Sequence, residues 1–230
     1  MATRYSSFIP GVTNGLVLYL DAAKRESYPG SGTSWYDLSG NGHVATLANG
    51  PTHNGFSKSS EIYTDPTDGF VYLDDFFHLN YVTVAVMYTR ESNDGVSDRI
   101  IYNKENVWEL RDVNGHLQWA LQTNNRGWYW SDTGYDVAIG ETIISHLTYN
   151  GNEVKAYVNG TLVETDTDYP DGGVLNQQNT YPKLNSRGSG QTSWTNGGDH
   201  SFSVFKVFNR ALSQEEVTLE YNALKGRFGL

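Results

Sequence analysis

The chain has 230 residues, enough to bury a large hydrophobic core without disulfide bonds. It contains no Cys, which excludes thiolate metal ligands and thiol nucleophiles. Asp and Glu outnumber Lys and Arg by 26 to 16, for a formal net charge of −10, and no run of cations is present, so the sequence predicts no nucleic-acid partner.

The composition indicates an all-β protein. The chain holds 6 Trp, 16 Tyr and 9 Phe together with 24 Gly, and many aromatics combined with many Gly-containing turns are typical of sandwiches and barrels. We find no linker, low-complexity tract or internal repeat, so we expect one domain. No apolar run is long enough to cross a bilayer, so we expect no membrane insertion.

The first elements follow from apolar runs and turn formers. Residues 1–14 have no apolar pattern and are expected to form an extended arm that adds little to the core. The apolar run at 16–20 predicts a buried strand, and the many turn formers at 22–42 predict an ordered loop. Further strands are expected at 69–74, 81–89, 99–103, 107–111 and 116–122.

Two Asn-Gly pairs predict consecutive hairpins. Asn150-Gly151 and Asn159-Gly160 separate three strand-like segments between 142 and 165. Both residue types tolerate positive φ, as tight hairpin turns require. We therefore expect three antiparallel strands here.

A last strand and a helix close the chain. The strand is expected at 201–208, where strict alternation places Phe202 and Lys206 on one face and Phe205 on the other. Ser213 and Glu216 form a capping-box pattern, which predicts one helix near 213–225. Gly226 stands where the helix is expected to end.

Three segments together resemble one family. They are 15–22 with 35–42, 146–151 with 154–160, and 205–213 continuing through 215–230. They resemble the laminin-G-like jelly rolls of the concanavalin A-like lectin/glucanase superfamily, and the first and third are closest to structural proteins of T4-like tailed phages. Residues 51–140 match only in pattern. The resemblance implies an all-β, two-sheet antiparallel jelly-roll sandwich with one short C-terminal helix, formed by residues 15–230 as a single domain.

The acidic residues do not form the pattern of a glucanase. Glucanases of this superfamily carry alternating carboxylates on one strand, which can face a single site. Here Asp74-Asp75 and Glu215-Glu216 are adjacent, so neither pair can face one site from a regular strand, and the second pair also serves a helix N-terminus. The scattered histidines His43, His146 and His200 are read as surface or structural side chains. The sequence therefore predicts a protein that is not an enzyme.

The resemblance also raises the question of calcium. Many relatives bind Ca²⁺ through loop oxygens, and Asp37, Asn41 and Asp21 would be the contributors here. Relatives often carry an Asp where this chain has Ser203, which weakens the case for that cofactor. The alternative is that Asp37 and Asn41 hydrogen-bond to the backbone of turns. We predict no bound metal among the site residues.

An aromatic and polar segment is the candidate carbohydrate site. Aromatic faces beside amides and carboxylates suit sugar rings and their hydroxyls. The candidate ligand-binding residues are Trp128, Tyr129, Trp130, Asn124, Asn125, Asp132 and, in a second polar loop, Trp194. The alternative is ordinary core packing of Trp128 and Trp130 on one face of a strand, which we favour slightly.

The sequence supports a structural or binding role. The leading hypothesis is a non-enzymatic phage virion surface protein, in capsid decoration or a tail fibre, whose partners are other virion proteins and cell-surface glycans. Because residues 1–15 lack the apolar segment of a signal peptide, we expect synthesis in the host cytoplasm and display on the virion surface. The alternatives are a free glycan-binding lectin module and, less favoured, a glycoside hydrolase.

Overall fold

The structure is a computed structural model that describes residues 11–65, 67–74, 77–92, 97–169, 172–191 and 195–230. The secondary-structure elements of these ranges, in chain order, are β1 (Leu16–Asp21), β2 (Ser34–Tyr36), β3 (Val44–Ala48), β4 (Thr52–His53), β5 (Ile62–Thr64), β6 (Phe70–Leu73), β7 (Val82–Arg90), β8 (Asp98–Lys104), β9 (Trp108–Val113), β10 (His116–Leu121), β11 (Tyr129–Asp136), β12 (Thr142–Tyr149), β13 (Val154–Val158), β14 (Thr161–Asp166), β15 (Lys183–Leu184), β16 (His200–Phe208), α1 (Gln214–Leu224) and a 3-10 turn at Lys225–Arg227.

The strands form two eight-stranded antiparallel sheets. Sheet A has the order β14-β13-β12-β7-β16-β5-β4, and β1 also pairs with β16. Sheet B has the order β11-β10-β9-β8-β15-β6-β3-β2. The predicted all-β jelly-roll sandwich with one short C-terminal helix is confirmed.

The main core lies between the sheets and follows the two-residue period of the strands. In β7, Val82, Val84, Val86 and Tyr88 point into this core, whereas Met87 packs on the opposite face of sheet A. Trp35, Trp108 and Trp119 are fully buried in the same core. Full burial of a large apolar side chain contributes roughly 1.5–3 kcal/mol, so each of these indoles adds measurably to the stability of the core.

Helix α1 covers the outer face of sheet A. The capping box predicted at Ser213 and Glu216 is present. Val217 packs in one apolar cluster against the outer face of sheet A, and Leu224 packs in a second apolar cluster on the same face. No helix within the described ranges is long and apolar enough to cross a membrane.

The end of the helix differs from the prediction. The chain continues from Leu224 into the 3-10 turn without a left-handed residue at Gly226, and in this segment positive φ appears at Gly229, at 74°. The amides of Phe228 and Leu230 both donate to the carbonyl of Lys225. The tightened last turn therefore provides hydrogen-bond donors near the end of the helix, where a glycine cap would otherwise provide them.

The face assignment predicted for the last strand is wrong. The pairing of β16 with β7 shifts between Phe202 and Val204, which identifies a bulge at Ser203. A bulge inverts the alternation beyond it. Phe202 therefore shares the inner face with Phe205, whereas Lys206 lies on the outer face beside Glu220 of α1.

The three predicted hairpin strands are confirmed as β12, β13 and β14. Asn159 and Gly160 both have positive φ, 50° and 78°, and form the expected two-residue turn. The other connection is longer: the Asn150 side chain accepts hydrogen bonds from the amides of Asn152 and Glu153, and only Gly151 has positive φ, at 101°.

Two segments are more structured than predicted. The loop expected at 22–42 contains β2, which pairs with β3. In the expected arm, residues 1–10 lie outside the described ranges, but Val12 is buried in a cluster with Phe208, Leu212 and Val217. Val12 is thus part of the packed structure.

Candidate functional site

The outer face of sheet B carries a group of aromatic and polar side chains near its β11 edge. Arg111 of β9 pairs across the strands with Gln118 of β10, which pairs with Asp132 of β11. Trp130 lies in the next row, directly opposite Ala120. We call Arg111, Gln118, Trp128, Trp130 and Asp132 the indole–guanidinium cluster.

Two indole rings and one guanidinium group form the centre of this cluster. The Arg111 guanidinium carbon lies 3.5 Å from the Trp130 ring centroid, a close cation–π contact. Trp128 meets Trp130 edge-to-face, with the ring centroids 5.6 Å apart. Both indoles are half-buried. Because Ala120 is small, the large Trp130 side chain has room beside it on the sheet.

Hydrogen bonds hold the polar members in place. The Gln118 side-chain oxygen accepts from Arg111 Nη2 at 2.9 Å, and the Gln118 amide donates to Asp132 Oδ2 at 3.1 Å. Arg111 Nη1 also lies 3.2 Å from Asp98 Oδ2. Asp132 is exposed. The row therefore presents a fixed amide and an exposed carboxylate next to aromatic rings.

A buried ion pair lies beside this cluster on the same face of sheet B, where Glu109 pairs with Ala120 in the row of Trp130. Glu109, which is fully buried, accepts hydrogen bonds from Arg187 Nε at 2.8 Å and from Asn103 at 2.6 Å. The bond to Glu109 raises the pKa of the Arg187 guanidinium. Arg187 also lies 5.7 Å from the Trp130 ring centroid. This arrangement ties the loop that carries Arg187 to the cluster.

The structure separates Tyr129 from the two tryptophans. Tyr129 packs against the main core, with its ring centroid 6.3 Å from that of Trp119, and Arg126 lies 3.8 Å from its ring centroid. Alternation along β11 puts Trp128 and Trp130 on the other side. The face of Tyr129 therefore packs on the core, and the interpretation of Trp128 and Trp130 as core residues is wrong.

The two predicted asparagines lie apart from the cluster. Asn124 is bound to the backbone of Val174, whose amide donates to its side-chain oxygen at 2.9 Å. Asn125 lines a separate cavity of about 220 Å³ together with Asp168 and Tyr169. The structure thus brings together Trp128, Trp130 and Asp132 of the predicted set. Trp194 lies outside the described residues.

The residues considered for calcium have other partners. Asp37 Oδ1 accepts from the amides of Tyr19 and Ser39, both within 2.9 Å, and the Asn41 amide donates to the carbonyl of Val17. Asp21 binds Arg227 at 3.0 Å. Within the described ranges, no group of three or more His, Asp or Glu is placed to hold a metal ion.

Sequence reasoning missed Arg111 and Gln118. Both lie inside predicted strands, at positions that alternate with the buried Leu110 and Leu117. That alternation alone places each on an outer face. Their meeting with Trp130 depends on the register of three strands, which the sequence does not display.

Comparisons with known proteins agree with this architecture. The chain is similar to the binding domain of Paraclostridial Mosquitocidal Protein 1, with a TM-score of 0.71 at 15% identity over 92% of this chain and 52% of that one. It is similar to the botulinum neurotoxin serotype D ligand binding domain in complex with N-acetylneuraminic acid, with a TM-score of 0.69 at 15% identity over 94% of this chain and 52% of the other. The botulinum neurotoxin type G receptor binding domain gives 0.66 at 14% identity, over 91% and 51%. The chain thus spans about half the length of each of these structures.

No curated protein sequence matches the chain significantly. A family model described as the concanavalin A-like lectin/glucanases superfamily matches residues 65–218. The matched range includes most of residues 51–140, for which only a resemblance in residue pattern was expected. The chain therefore belongs to the concanavalin A-like lectin/glucanase superfamily.

Proposed function

We propose that the chain is a non-enzymatic carbohydrate-binding module whose ligand lies on the indole–guanidinium cluster. The observation that carries the proposal is the pair of half-buried indoles, Trp128 and Trp130, beside the hydrogen-bonded row of Arg111, Gln118 and Asp132. The C–H face of a sugar stacks on an aromatic ring, and its hydroxyls bind amide, guanidinium and carboxylate groups.

The carboxylates near the cluster favour binding over hydrolysis. A glycosidase needs two reachable carboxyl groups on opposite sides of the glycosidic bond. Glu109 is fully buried and bound by Arg187, and Asp98 contacts Arg111. Asp132 is the remaining exposed carboxylate of this cluster. We therefore place the module among proteins that bind glycans without cleaving them.

A glycan array with the wild type and the Trp128→Ala and Trp130→Ala variants tests the site. We expect at least one glycan to bind, and either change to weaken binding about tenfold, through loss of a stacked ring. Tyr36→Ala is the matched control, because Tyr36 is 45% exposed and lies on β2, at the opposite edge of sheet B.

Three outcomes would contradict this proposal. Binding that survives both changes in folded protein would exclude the cluster as the site. The absence of any glycan ligand would reject the carbohydrate function itself. Turnover of a bound polysaccharide, abolished by Asp132→Asn, would show that the module is an enzyme.

We also propose that the module acts on the surface of a phage particle, as capsid decoration or part of a tail fibre. The support is the sequence of the segments at 15–22 with 35–42 and at 205–213 continuing through 215–230, which resembles structural proteins of T4-like tailed phages. Weak glycan binding by many copies would keep a particle near its host through avidity. Synthesis in the host cytoplasm and partners among the other virion proteins belong to this proposal.

Mass spectrometry of purified phage particles tests this location. We expect peptides of the chain in intact particles, and labelling with an antibody would show whether they lie on the head or the tail. If the chain is absent from particles but still binds glycans, the virion proposal fails and the free lectin module remains.

A further inference from the structure

The two guanidinium groups at the indole–guanidinium cluster are bound by side chains of the protein itself. Arg111 Nε and Nη2 both donate to Gln118 Oε1, at 3.2 and 2.9 Å, and Arg111 Nη1 lies 3.2 Å from Asp98 Oδ2. Arg187 Nε and Nη2 donate to the two carboxylate oxygens of Glu109. A guanidinium group recognises a carboxylate best through two parallel hydrogen bonds. In both arginines, the Nε–Nη2 edge that makes such bonds is already used.

The charges at this cluster sum to a negative value. Two arginines, Arg111 and Arg187, lie among three carboxylates, Asp98, Glu109 and Asp132. Asp98 and Glu109 contact the arginines, which leaves the charge of Asp132 in excess. The residues outside the described ranges include one Arg, three Asp and no Lys, so they also carry more acidic than basic side chains.

Neutral groups hold the Asp132 carboxylate in place. Among the described residues, its Oδ2 accepts from the Gln118 side-chain amide at 3.1 Å, and its Oδ1 accepts from the backbone amide of Gly134 at 2.8 Å. Asp132 is exposed, and each oxygen of an ionised carboxylate can accept more than one hydrogen bond. The two amides therefore fix the orientation of the carboxylate without neutralising its charge.

Asp132 lies one sugar ring away from the aromatic surface. Asp132 and Trp130 are two residues apart in the regularly paired part of β11, so they share one face of the strand. A strand rises about 3.3 Å per residue, which separates the two positions by about 7 Å. A pyranose ring with its substituents has a similar length. A sugar stacked on the indoles can therefore place a ring substituent against the carboxylate.

We propose that the indole–guanidinium cluster binds a glycan that carries free amino groups and discriminates against acidic glycans. The inference rests on the carbohydrate function proposed above and adds the charge of the ligand to it. The protonated amine of a hexosamine binds Asp132 while its ring stacks on Trp128 or Trp130. A ligand carboxylate would lose its hydration and meet an exposed anion, whereas both arginines are already paired.

A glycan array that presents free-amine, neutral and acidic oligosaccharides side by side tests the charge of the ligand. We expect the bound glycans to carry free amines, with a signal that falls as salt rises. Binding of acidic or neutral glycans in preference, lost in Trp130→Ala, would overturn this inference and leave the carbohydrate function standing. The absence of any bound glycan would reject both.

Chemical N-acetylation of the best-bound glycan provides a matched ligand, because it removes the positive charge and keeps the sugar and its linkages. Isothermal titration calorimetry in mildly acidic buffer of low salt should show that the free-amine form binds the wild type about fivefold more tightly than the acetylated form, as expected for an exposed ion pair. Equal affinities of the two forms would overturn the proposal.

Asp132→Asn locates the recognition of the amine. The variant should bind the free-amine form about fivefold more weakly than the wild type does, and both forms equally. Asp68→Asn is the matched control, since Asp68 is an exposed Asp in the loop before β6, away from β11 in sheet B. If Asp132→Asn binds the free-amine glycan as tightly as the control does, Asp132 does not bind the amine and the proposal fails.

Discussion

A buried histidine under α1 is expected to make the stability of the protein depend on pH. His146 is fully buried on sheet A, and neither ring nitrogen has a hydrogen-bond partner in the described part of the chain. Ala85 pairs with His146 on one side and with Lys206 on the other, so the three residues form one row. Burial, with a smaller contribution from the Lys206 charge, lowers the pKa of His146 to about 3.

His146 should therefore cost stability in acid. The folded state keeps the ring neutral, whereas the unfolded chain takes up a proton below its ordinary pKa of about 6.5. Stability then falls as pH drops from 6.5 toward 3. Urea unfolding at pH 6.5 and 4 should show that the wild type loses about 3 kcal/mol more than His146→Leu. An equal loss in both proteins would mean that the imidazole is protonated in the folded state.

The residues of the indole–guanidinium cluster show how much of this site could be predicted from the sequence. The Trp-x-Trp spacing was enough to place Trp128 and Trp130 on one face and Tyr129 on the other. This spacing does not determine which face of β11 packs on the core, because that depends on which other elements cover the strand. Arg111 and Gln118 were missed since their contact with Trp130 is set by pairing between strands.

At the level of elements, prediction succeeded where a strand is long enough to show its period. Strands β7 and β12 have nine and eight residues and were recognised. Strands β2 and β4 have three and two residues, too few for a pattern, and they are defined by their pairing with the neighbouring strands β3 and β5. The bulge at Ser203 could not be predicted from the sequence, because β16 is buried on both faces and apolar side chains lie on both faces beyond the bulge.

The turn between β13 and β14 supplies a test at this level. Gly160 has φ of 78°, and an added Cβ would lie 3.0 Å from the Tyr221 ring. Gly140 has the same φ of 78°, but open space surrounds its Cβ position. Gly140→Ala isolates the cost of a left-handed backbone, about 1 kcal/mol. Gly160→Ala should cost about 1 kcal/mol more, because it also presses on α1.

Chemical denaturation of the two glycine variants measures this difference. Equal losses of stability would show that Tyr221 moves aside freely and that α1 is loosely held at its middle. A larger loss in Gly160→Ala would show that the hairpin and the helix form one packed unit.

At the level of the whole molecule, the sandwich separates two faces with different chemistry. The outer face of sheet B carries the indole–guanidinium cluster, and the outer face of sheet A carries α1. Both faces rest on one core between the sheets. A sandwich with a single core is expected to unfold in one cooperative transition.

Removal of residues 1–14 tests how the N-terminal segment belongs to this unit. Val12 is buried against Phe208 and Val217, and its amide donates to Glu220. Both sheets and their core lie outside the deleted segment, so we expect the truncated chain to fold in one transition. Loss of the Val12 side chain should lower its stability by about 2 kcal/mol.

Val12→Ala in the full-length chain provides the comparison for the truncation. If the two changes cost nearly the same in urea unfolding, Val12 is the main anchor and the remaining residues of the segment add little to the core. The truncated chain should then keep its glycan binding while losing attachment to the particle. Failure of the truncated chain to fold would show that the segment is an integral part of the sandwich, which would remove the basis for treating it as a docking arm.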